Sequence, residues 1–69
     1  MEWDIIQSQL MHLIESGRRT ELRGALLMLN VVDIAQFMAE LDGQNMLTVF
    51  RILPKDISAE VFAYMEPEQ

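Results

Sequence analysis

Residues 53–69 read LPKDISAEVFAYMEPEQ, and the stretch holds one helix and the opening of another. Pro54 starts the helix, because proline fits the first helical position and disfavours helical geometry in the residue ahead of it. Ile57, Val61, Phe62 and Met65 then fall on one face at helical spacing, which predicts that they are buried. Pro67 follows between Glu66 and Glu68, again a proline with carboxylates at the positive end of a helix dipole. The chain therefore reads as one short helix handing over to the next.

Displacement by 24 residues extends that reading toward the N-terminus. Residues 20–45 laid over 44–69 match Leu29 with Leu53, Ala35 with Ala59 and Ala39 with Ala63. Other pairs agree in kind: Leu22 with Met46, Leu26 with Phe50, Phe37 with Val61, Met38 with Phe62, Leu41 with Met65. The Asp-Ile turn signals at Asp33-Ile34 and Asp56-Ile57 stand 23 apart, one residue out of step. This is the pattern of a two-helix repeat, in which each hairpin buries its apolar face by stacking on the next. The expected fold is all-α: about five short helices with a repeat of roughly 24 residues, wound as a right-handed superhelix. Pro67 would begin a further hairpin, so residues 1–69 read as an excised part of a larger domain. An apolar face around Phe62 and Met65 would then lie uncovered and favour self-association, a homodimer included.

The other helices follow from periodicity. Trp3, Ile6, Leu10 and Leu13 recur on one face until Ser16 and Gly17 end the first helix. A second is expected from an N-cap at about Thr20 to Asn30, with Leu22, Leu26 and Leu29 inward. A third runs from about Val31 to Leu41 on Ile34, Phe37, Met38 and Leu41. Asp42-Gly43 makes a turn in which Asp42 caps a fourth helix, from about Gln44 to a stop before Pro54.

Composition narrows the function. A net charge of −6 argues against nucleic acid, whose phosphates require a positive surface. With no cysteine there is neither a disulfide nor a thiolate zinc site, which suits a reducing compartment. The opening MEWDIIQSQL carries two acids and no basic leader, so it does not read as a secretory signal. No apolar run approaches the ~20 residues that cross a bilayer, so the chain is expected to be soluble, without direct membrane insertion.

Catalysis finds little support. His12 is the single histidine, Ser8, Ser16 and Ser58 have no recognisable partners, and the three glycines are scattered rather than gathered in a phosphate loop. Met38, Met46 and Met65 sit on repeat positions where packing accounts for them. Arg18 and Arg19 follow the first helix, where positive charge complements the helix end. Eleven carboxylates remain, and Asp56 with Glu60 occupies one helical face, where like charges repel by a few tenths of a kcal/mol.

The stretches LNVVDIAQFMAEL and LTVFRILPKDISAEVFAYMEPEQ resemble the cytosolic N-terminal domain of MgtE-type magnesium transporters, a superhelix built on "P-x-D-I-A" and "L-L-P-x-x-x-A-A-E-V" phrases. The resemblance runs from Arg18 to Gln69, is most specific in ILPKDISAEVF, and reaches the first helix only in pattern. Val31 stands where the family has proline and Ser58 where it has alanine, both small departures.

The resemblance implies a regulatory domain on the cytoplasmic side of the cell membrane, followed in the same protein by CBS domains and a transmembrane pore. Magnesium would bind between the cytosolic domains, and Glu60, in Ser58-Ala59-Glu60-Val61, is the position that contributes to that interface. The Mg2+ site in residues 1–69 alone would be weak or absent, since hard cations need several oxygen ligands. The competing reading is an armadillo-like protein-interaction scaffold without metal sensing, and helical domains of flagellar motor switch proteins have a related look.

Overall fold

The computed structural model describes residues 2–65, so the expected helix start at Pro67 lies outside the described residues. Five helices make up the described chain, and no strand is found among its residues: α1 (Trp3–Glu15), α2 (Arg19–Leu27), α3 (Val31–Ala39), α4 (Gly43–Ile52) and α5 (Lys55–Met65). Their connections are short, yet the most extensive packing joins two helices that are not successive. α1 lies against α2, and α3 makes its most extensive contact with α5.

Local chemistry sets each boundary. α1 ends in a Schellman motif: Gly17, at φ 72°, lets the N–H of Arg18 donate to Leu13 O at 3.1 Å and its own N–H donate to Ile14 O at 3.2 Å. Only glycine takes that φ without steric cost. Asn30 and Asp42 are N-caps, each side-chain oxygen accepting at 2.8 Å from the backbone N–H three residues on, of Asp33 and Asn45. Pro54 accepts the first helical bond of α5 through its carbonyl, from Ser58 N–H at 2.8 Å.

Three expected boundaries move. Thr20 is not the cap of α2; the helix begins one residue before it, behind Arg18, because the turn closed by Gly17 already delivers the chain in register. Asn30 does not end α2 but starts α3, since its short side chain serves the free N–H groups of a helix start better than a helix end. α3 closes at Ala39 rather than Leu41, which leaves Glu40 and Leu41 in the turn before the Asp42 cap.

The core is a single cluster of Leu10, Leu22, Leu26, Ile34, Phe37, Met38, Val49 and Val61, each at 2 % exposure or less, joined by Ala35 and Leu53. It contains no buried polar group among the described residues. The repeat is visible in it at two registers. α2 and α4 begin at Arg19 and Gly43, and α3 and α5 at Val31 and Lys55, each pair 24 residues apart. Two buried pairs follow the 23-residue step of the Asp-Ile signals, Leu26 with Val49 and Met38 with Val61, while Phe37 and Val61 keep the 24-residue step.

That one-residue offset corrects the expected burial of Phe62. It pairs with Met38 at a step of 24, but one residue turns a helix by about 100°, and Val61 takes the inward position instead. Phe62 is left 61 % exposed, its ring edge-on to Phe50 at 6.2 Å between centroids. The expected uncovered apolar face is thus present at Phe62, whereas Met65 is half-buried.

Leu26→Ala should therefore cost about 2–5 kcal/mol in urea unfolding, whereas Phe62→Ala should cost less than about 1 kcal/mol. Equal losses at the two positions would contradict this core.

Candidate functional site

α5 carries the site residue expected from sequence. Its first turn is fixed by Pro54, and Ile57 and Val61 turn its apolar side to α3. Glu60, one residue before Val61, then has to point away from the core. It is exposed, as are Asp56 one turn earlier and Lys55 beside it. The one ion pair among the described residues joins Arg18 to Glu21 at 3.5 Å, so the Glu60 carboxylate is not committed to an internal partner.

The donor set decides what Glu60 can do. No group of three acidic or histidine side chains among the described residues is placed to hold a metal ion. One or two carboxylates on a helix surface satisfy only a fraction of the six oxygens that Mg2+ requires, and water would supply the rest. The residues described therefore do not make up a complete Mg2+ site.

The remaining candidates are dispersed. Ser8 and His12 lie four residues apart on α1 and line one groove with Asp4, but no hydrogen bond joins Ser8 to His12 or His12 to Asp4 among the described residues. A serine nucleophile needs a base within hydrogen-bond reach, and this arrangement supplies none. Ser16 Oγ donates to the His12 carbonyl at 2.8 Å, a helix-end contact. Met38 is fully buried, and Met46 and Met65 are half-buried, as packing residues should be.

An apolar cluster of the exposed Leu47 and Phe62 with the half-buried Phe50, between α4 and α5, was not evident from periodicity. Leu47 lies four residues before Arg51 on α4, and that helical spacing from a charge that marks the outer face is the signal that could have shown its exposure.

Residues 29–69 match the family model described as the MgtE intracellular N domain, more than half of the chain. The chain belongs to this family. It is an N-terminal domain of the MgtE family of magnesium transporters, and the match spans α3, α4 and α5, including Glu60. It begins 11 residues after Arg18, where the resemblance read from sequence starts. No curated protein and no solved structure matches the chain. No helix among the described residues of this MgtE N domain is long and apolar enough to cross a membrane.

Titration calorimetry of the 69-residue chain with Mg2+ should give little or no specific heat, because the helix surface offers so few ligands. A saturable signal at micromolar concentration would place the ligands elsewhere.

Proposed function

We propose that this MgtE N domain is the magnesium-responsive regulatory part of its transporter, held on the cytoplasmic side of the membrane as one piece of a larger superhelical domain. Glu60 then supplies one ligand to Mg2+ shared with CBS domains of the same protein. The observation that carries this reading is the exposed, uncommitted Glu60 carboxylate on α5, inside the segment that matches the family.

Two facing carboxylates about 4 Å apart repel by about 1 kcal/mol in water, and more where an interface excludes it. Among the described residues no base pairs with Glu60 to relieve that repulsion. Mg2+ between the domains supplies the cancelling charge. Glu60 is held outward by its neighbour Val61, whose burial fixes the rotation of α5, so the carboxylate meets a partner without rearrangement of the helix. A compact arrangement that binds the ion more tightly is then favoured as its concentration rises, and closure of the pore follows the population of that arrangement.

Glu60→Gln in the intact transporter keeps the size of the side chain and removes its charge. Protease protection followed against Mg2+ concentration should shift to a midpoint roughly fivefold or more higher. An unchanged midpoint would remove Glu60 from the mechanism.

A further inference from the structure

The chain has four aspartates, and three of them, Asp4, Asp33 and Asp56, precede isoleucine. Asp42 alone precedes glycine, at the start of α4, where its Oδ1 accepts from the Asn45 N–H at 2.8 Å. The difference is chemical. The backbone nitrogen that follows an aspartate can attack the side-chain carboxyl carbon and close a cyclic imide, an approach that a β-branched neighbour crowds. Gly43 has no side chain to crowd it. Asn30, which caps α3 in the same way, is followed by the β-branched Val31.

The groups that this reaction needs are adjacent, and one restraint holds them apart. The Gly43 N–H donates no hydrogen bond among the described residues, because the first N–H groups of a helix have no partner within it, so the nucleophile is free. Asp42 and Gly43 are both exposed, which admits water. Ring closure requires Asp42 Cβ and the Gly43 nitrogen to eclipse about the Cα–C bond, and the extended ψ of 172° keeps them out of that alignment. The cap bond to Asn45 holds the carboxylate in this conformation, so reaction awaits its loss. Opening is local: Gly43 and Gln44 are exposed, and the buried Val49 lies more than a turn further along α4, so the first turn can fray while the core stays packed.

We propose that Asp42-Gly43 is a site of covalent self-modification, gated by the cap of α4. In the opened turn the Gly43 nitrogen attacks Asp42 Cγ with the carboxyl group in its protonated form. The N–Cγ bond forms, and the proton of the nitrogen leaves with the carboxyl OH as water. Hydrolysis of the imide returns that water. Cleavage at Cγ restores aspartate, whereas cleavage between the main-chain carbonyl carbon of Asp42 and the Gly43 nitrogen gives isoaspartate, with the chain running through the former side chain. No oxidant, reductant or second protein takes part. The product adds a methylene to the backbone between α3 and α4 and moves the free carboxylate onto Cα, so the cap geometry is lost.

The full chain, incubated in heavy-oxygen water at neutral pH and mapped by peptide mass spectrometry, tests this. Heavy oxygen should enter at Asp42 together with an isoaspartyl product, and not at Asp4, Asp33 or Asp56 over the same period. In urea that unfolds the chain the rate at Asp42 should rise about tenfold or more, as the gate requires. Gly43→Ala should slow the folded chain's reaction about tenfold or more with helical circular dichroism retained, since a Cβ there meets no atom within 4 Å. The isolated isoaspartyl form should have a folded-to-unfolded ratio about fivefold or more below that of its parent, from loss of the cap. Equal rates in the folded and unfolded chain would overturn the gate. No heavy oxygen at Asp42, or entry at Asp33 and Asp56 as fast, would overturn the site, and an isoaspartyl form as stable as its parent would overturn the part given to the cap.

Discussion

The packing of α3 against α5 is the constraint on which the rest of the molecule depends. Ile34, Phe37 and Met38 from one helix and Val61 from the other lie in the core at 1 % exposure or less, with no buried polar group among the described residues to fix their register. Shape alone therefore decides the rotation of α5. A small domain has little stability to spare, and with no cysteine in the sequence no disulfide contributes. Whatever fixes Val61 inward also fixes what its neighbours present outward.

From that rotation follow three distinct sides of α5. Ile57, Val61 and Met65 turn inward; Lys55, Ser58, Ala59 and Phe62 border the exposed apolar face; Asp56 and Glu60 form an acidic edge. One short helix thus joins the core to two surfaces of opposite chemistry. The acidic edge and the apolar face lie on different sides of the helix, so the two share no side chain. Separation of this kind suits a domain that must stay folded while its electrostatic surroundings change.

Much of this was legible in the residues. The turn chemistry of Gly17 and Asp42 and the restriction at Pro54 act locally, so the sequence shows them directly. The family was legible too, through ILPKDISAEVF. What the residues hid was the relative rotation of the hairpins. The 24-residue step that aligns helix starts places Phe62 with Met38, whereas the core takes Val61 and Val49, and only tertiary packing distinguishes a step of 23 from one of 24. Asn30 is ambiguous for a related reason, because a capping residue type does not tell which of two adjoining helices it serves, while Thr20, of capping type, lies inside α2. Glu60 was visible as a carboxylate on a helix, but its outward direction required the rotation.

On the proposed function, magnesium draws the acidic edge of α5 toward another part of the transporter. The chain has no cysteine, so Ala63→Cys, exposed and one turn from Glu60, offers a unique position in this domain for a nitroxide. Electron paramagnetic resonance distances from that label to a second label in the CBS region should shorten as Mg2+ rises, and the change should be blunted when Glu60 is replaced by Gln. A distance distribution that is the same with and without Mg2+ would contradict the account.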